Sequence, residues 1–203
     1  TPGHPEPRAW LNGVGRVEYA AGGEMQVFVG SLWEADARKA DGPLKIPTCV
    51  ACDSRGRVYV GDYMNDRIQV FTPEGRLQKS IPCWKPTVMR IDPKTGALYV
   101  FAWRIGWNFY TPWKWDQQNP KRPPSLTVLA SVDDPQVQAT YPLDVPNPYW
   151  NADTGGMAGA YADVDFWTPN GVPRLWLVHD VAGLHPVSLR VFDLKDGKLA
   201  LVQ

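Results

Sequence analysis

The 203-residue chain has 21 Lys and Arg side chains against 21 Asp and Glu, a formal charge of zero, and 44% hydrophobic residues. That is apolar material enough for one domain-sized core, and the charge balance excludes a chain-wide attraction to nucleic acid or to an anionic membrane surface. The 20 Pro, 18 Gly and 10 Trp exclude long helices in favour of short strands and tight turns, and no apolar run approaches the ~20 residues of a membrane helix.

Residues 1–15 open as TPGHPEPRAW, a Pro-rich tail. Thr1 in place of Met, with no signal-like apolar core, points to a processed or trimmed amino terminus. Residues 16–45 read as a strand over 16–19, a turn at Gly22-Gly23, a strand over 25–29, and a spacer. A fuller unit follows over 46–85. It has a strand ending in Asp53, a turn at Ser54-Arg55-Gly56, a strand at Val58-Tyr59-Val60, a polar loop, a strand over 67–71, a turn at Pro73-Glu74-Gly75, and a strand over 77–81. Asp followed by a Gly turn is the chemistry of a reversing hairpin.

The pattern returns over 86–140, where Val88 to Asp92 precedes Pro93-Lys94-Thr95-Gly96 and Leu98-Tyr99-Val100. It returns again over 141–203, where Tyr161 to Asp165 precedes Thr168-Pro169-Asn170-Gly171 and Leu175-Trp176-Leu177. Third strands are expected over 126–129 and 189–192, and a last strand over 198–202. Four antiparallel strands per unit make a propeller blade.

The stretch 46–81 resembles an NHL repeat: a Pro, a strand, Asp53-x-x-Gly56, Val58-Tyr59-Val60-x-Asp62, then Asn65-x-Arg67-Ile68-x-Val70-Phe71 and a Gly turn. Residues 86–140 and 158–203 keep the strand order and lose the Asn-x-Arg signature. The start of the chain resembles the third and fourth strands of a blade. The expected fold is all-β, a propeller of four-stranded antiparallel blades, incomplete in this chain. An open array leaves an edge and an apolar face uncovered, so another chain or a missing segment is expected to complete the ring.

Function in a propeller sits on a rim or in the central channel, and one rim loop stands out. Residues 103–124 carry Trp103, Trp107, Phe109, Tyr110, Trp113 and Trp115 in place of the short turn 62–66 of the preceding unit. The connection 141–150 adds Tyr149 and Trp150 and should reach the same rim. Aromatic faces stack on sugar rings or protein partners, so Trp103, Trp107, Tyr110, Trp113, Trp115, Tyr149 and Trp150 form the candidate binding set. The competing reading packs these rings on one another as a cover over the blade.

Other constellations are thinner. Cys49 and Cys52 are three apart on a strand, on opposite faces, which rules out a disulfide or shared metal and makes them core cysteines. His179, Asp180 and the repeat-equivalent Asp62 could begin a divalent-metal site on the channel axis. Propellers that resemble this family, the peptide-amidating lyase and the lactonases among them, hold a metal there. No other cofactor is expected. Asp53, Asp92 and Asp165 are turn residues first. Lys114, Lys121, Arg122 and Arg104 mix with the aromatic loop, yet the neutral chain and Asp116 argue against nucleic acid. The leading expectation is therefore a non-catalytic module, extracytoplasmic by resemblance, binding a protein or glycan. The alternative is a metal-dependent lyase or lactonase.

Overall fold

In the computed structural model of the protein, residues 12–18, 20, 22–32, 44–103, 122–143, 160–179 and 188–202 are described. They form one two-stranded and three four-stranded antiparallel sheets. The hairpin pairs β1 (Asn12–Arg16) with β2 (Gln26–Ser31). The first sheet runs β3 (Pro47–Cys52), β4 (Val58–Asp62), β5 (Arg67–Phe71), β6 (Leu77–Pro82). The second runs β7 (Pro86–Ile91), β8 (Leu98–Ala102), β9 (Ser125–Leu129), β10 (Val137–Pro142). The third runs β11 (Ala160–Asp165), β12 (Arg174–His179), β13 (Ser188–Lys195), β14 (Lys198–Leu201). In each four-stranded sheet, spatial order follows chain order, and β3 lies beside β7 as β7 lies beside β11. This is the blade arrangement of a β-propeller.

The Asp-and-Gly turns build these sheets. Asp53 accepts the N–H groups of Arg55 (2.9 Å) and Arg57 (3.0 Å). Asp92 accepts that of Lys94 (2.8 Å), and Asp165 that of Trp167 (2.7 Å). Gly56, Gly96 and Gly171 follow with φ of 75°, 75° and 71°, a conformation that costs glycine nothing and an L side chain about 1 kcal/mol or more. The three aspartates are thus turn caps.

Alternation along the strands then creates two faces per sheet, and cores form between neighbouring sheets. Val58, Val60 and Phe71 of the first sheet pack against Val14, Phe28 and Val29 of the hairpin. Tyr59, Ile68 and Val70, on the opposite face, meet Met89, Leu98 and Val100 of the second. Tyr99, Phe101, Leu126 and Val128 meet Val164, Leu175 and Leu177 of the third.

Several boundaries differ from expectation. The first strand begins at Asn12, not Arg16, so part of the expected tail is sheet. Tyr141 and Pro142 close β10 instead of opening a connection, because Tyr141 pairs with Leu126 and joins the core. Cys49 is half-buried, and burial pushes its thiol up to about 11, as it pushes the Cys83 thiol to about 12. Cys52 departs from the core reading: it is exposed at the end of β3.

Candidate functional site

Chain direction places the β4–β5 and β8–β9 loops, and the links from each sheet to the next, on one rim. Short hydrogen bonds build that rim, and the first two sheets repeat them. Ile46 and Lys85 each precede the proline that opens a first strand, and each takes positive φ (53° and 40°). The Ile46 N–H donates to Asn12 Oδ1 (2.9 Å), and the Lys85 N–H to Asp66 Oδ1 (3.0 Å). The Ile46 carbonyl accepts from the Tyr63 N–H, and the Lys85 carbonyl from the Trp103 N–H, both at 3.3 Å.

The register slips between Pro47 and Cys49, and between Pro86 and Val88, leaving Thr48 and Thr87 as the extra residue of a bulge. Thr48 Oγ1 donates to the Pro86 carbonyl (2.6 Å), tying one sheet to the next, and Thr87 Oγ1 to the Phe101 carbonyl (3.0 Å).

Within this frame Asp62 is fully buried. One oxygen accepts the Lys45 N–H (2.6 Å). The other accepts Asn65 Nδ2 (2.8 Å) and Arg67 Nε (2.7 Å). Three of its roughly four lone-pair sites are therefore engaged in closing the loop, with the Arg67 charge against it, so these contacts give Asp62 a structural part in the rim. His179 closes β12, but its side chain and Asp180 lie outside the described residues. Among the described residues, no cluster of three His, Cys, Asp or Glu is placed to hold a metal.

Trp103 is also corrected. It is buried, its ring edge-on to Phe101 with centroids 6.0 Å apart, and it belongs to the core between the second and third sheets. It follows its second strand as Tyr63 follows β4, its N–H donates to the equivalent carbonyl (Lys85 for Trp103, Ile46 for Tyr63), and it is buried as Tyr63 is. The insertion therefore begins after it. Trp107, Tyr110, Trp113, Trp115, Tyr149 and Trp150 lie outside the described residues. The anchors of their segments do not. Chain 104–121 leaves after Trp103 and returns at 122–124, and the Leu143 N–H, where the next connection departs, donates to the Pro124 carbonyl (2.9 Å).

Sequence reasoning missed Lys85, whose ammonium is buried on this rim. It lies 3.2 Å from Asp66 Oδ1, 3.4 Å from the Tyr63 carbonyl and 5.0 Å from the Tyr63 ring centre. The carboxylate and ring face offset its desolvation. Trp84 was missed as well: its indole nitrogen is shut off from solvent and has no hydrogen-bond partner among the described residues. The repeated Pro-Thr pairs at 47–48 and 86–87 were the available signal for this rim.

No protein family and no curated protein matches the sequence. Solved structures do. A gluconolactonase from Xanthomonas campestris matches at TM-score 0.54 and 16% identity over 87% of this chain and 50% of its own. The hydrazine synthase of Kuenenia stuttgartiensis matches at TM-score 0.47 and 16% identity over 83% of this chain and 42% of its own. A Lactobacillus plantarum protein matches at 0.48 and 16% over 93% and 47%. This chain spans about half the length of these structures or less. At such identity the gluconolactonase likeness establishes the propeller fold alone.

Proposed function

We propose that this chain is a non-catalytic, NHL-like propeller module that binds a protein or a glycan through the aromatic rim. It would act as part of a larger extracytoplasmic assembly or polypeptide. Trp107, Tyr110, Trp113, Trp115, Tyr149 and Trp150 supply flat apolar faces, and neighbouring Asn, Gln, Lys and Asp side chains supply partners for hydroxyl and amide groups.

The observation that carries this reading is the Leu143–Pro124 bond. The first aromatic segment returns at Pro124 and the second departs after Leu143, so the described ends of the two segments are hydrogen-bonded to each other, which supports reading them as one surface. The rim beneath is held by Asp62, Thr48 and Lys85, whose polar groups are engaged within the fold, which suits a rigid platform better than a reaction centre. A lactonase or lyase reading would need ligands from His179 and Asp180 beside an Asp62 already engaged in the loop.

Titration with neutral oligosaccharides, followed by tryptophan fluorescence, tests the glycan arm; immobilised chain exposed to a secreted-protein fraction tests the other. Trp107→Ala and Trp113→Ala should each weaken the interaction at least tenfold, a loss of about 1.4 kcal/mol or more. Wild-type tryptophans that acrylamide quenches no better than buried rings would sink the reading. Lactone hydrolysis lost in His179→Ala would replace it with the enzymatic one.

A further inference from the structure

Trp167 is the most exposed large hydrophobic side chain among the described residues, at 70%, yet it is firmly held. Its backbone N–H donates to Asp165 Oδ1 (2.7 Å), and the carbonyl before it, that of Phe166, accepts from Lys94 Nζ (3.0 Å). The same ammonium lies over the indole, 4.5 Å from the ring centre. Lys94 belongs to the turn after β7 and Trp167 to the turn after β11, so the contact bridges two sheets. One face of the ring carries the cation, and the high exposure leaves the other to solvent.

This pair stands on the rim opposite the aromatic insertion. The turns that close β3–β4, β5–β6, β7–β8, β9–β10, β11–β12 and β13–β14 make that rim, and all of them are described. Residues 33–43, 104–121, 144–159 and 180–187 join strand ends on the other rim. Trp167 leans back on the second sheet, so the neighbour that would bury it is already in place and does not.

The surroundings select among ligands. Arg90 and Asp163, on the same β7–β11 seam, neutralise each other at 2.6 Å, and Asp92 accepts the Lys94 N–H and the Thr95 hydroxyl. No surplus of positive charge therefore runs along the seam for a phosphate chain to follow. Asp92 and Asp165 also take up turn N–H groups, and tight turns offer no strand edge, so an extended peptide finds no main-chain partner. A fixed indole between an ammonium donor and carboxylate acceptors suits a neutral pyranose. The C–H face of the sugar carries the positive partial charge that a π face attracts, and its hydroxyls both donate and accept. A ring held in advance loses little freedom on binding.

The geometry points to Trp167 and Lys94 as a binding site for a neutral sugar ring, separate from the aromatic rim and independent of what that rim binds. The sugar stacks on the open indole face, and a hydroxyl accepts from Lys94.

Heteronuclear NMR of the 203-residue chain tests it, with the Trp167 indole N–H assigned by its loss in Trp167→Phe. Cellohexaose, xylohexaose and maltohexaose are the probes, and at least one should shift that resonance saturably. Read at the amides of Gly96 and Gly171, Trp167→Ala should weaken the binding by about tenfold or more, and Lys94→Met by about threefold or more. Both side chains are exposed, and an unchanged melting temperature shows that the fold is kept. A Trp167 resonance that no probe moves overturns the inference, and so does an affinity unaltered in Lys94→Met. A shift caused by a proline-rich peptide or by oligouridylate, and by no sugar, overturns it as well. The signal belongs to Trp167 itself, so failure here leaves the reading of the aromatic rim standing.

Discussion

Asp53 shows how much one side chain carries here. Besides the two turn N–H groups it accepts Arg57 Nε (2.6 Å) and the Tyr59 hydroxyl (2.9 Å). Arg57 continues to Asp133 in the β9–β10 connection of the second sheet (2.7 Å), so the turn and the contact between sheets share one charged chain. Partial burial alone would raise the Asp53 carboxyl, but the hydrogen bonds from Arg57, Tyr59 and Arg55 together hold it below its ordinary value. A depressed folded value means stability that is complete above the unfolded carboxyl's pKa, about 3.9, and lost as pH falls through the folded value. Asp133, lowered by the Arg57 hydrogen bond, acts in the same direction. Asp53→Asn should therefore melt lower than wild type at neutral pH, by about 1–3 kcal/mol of stability, with the gap narrowing as pH drops from about 5 to about 2. Calorimetric melting across that range checks it; a gap that widens on acidification contradicts it.

At the scale of an element, Trp103 separates packing from recognition. Its sequence context is that of the aromatic loop, and its position is that of Tyr63. Trp103→Ala removes a buried indole from the core of the second and third sheets and should cost about 3–5 kcal/mol, read from the urea midpoint. At temperatures where the variant is still folded, ligand binding should stay within about threefold, or ~0.7 kcal/mol, of wild type. A stable variant with lost binding would return Trp103 to the rim. The turns were legible because each Asp and the Gly that follows it act through backbone only a few residues apart in the chain. The burial of Trp103 was not, since a ring at the root of an insertion has the same local sequence whether it faces solvent or the next sheet.

For the whole molecule, the order of the sheets ranks their stability. The second sheet is covered on both faces, by the first and the third. Among the described residues the third is covered on one, and leaves Tyr161, Trp176 and Leu189 exposed on the other. Backbone amides of β8 and β9 should therefore exchange slowest, by at least a hundredfold over those of β13 and β14, in native-state hydrogen exchange. Uniform protection across the three sheets would mean that the exposed face is covered in solution.

The sequence alone determined the strands, their turns and the four-strand unit, because alternation and turn chemistry act between residues close in the chain. It also located the aromatic insertion. Tertiary structure decided which polar groups are engaged, since Asp62 is closed off by Lys45, Asn65 and Arg67 across a folded loop. It decided too that Lys85 is buried and that Cys52 is not. Exposure is a property of what lies across a sheet face, and that neighbour comes from a different repeat, tens of residues away in the chain.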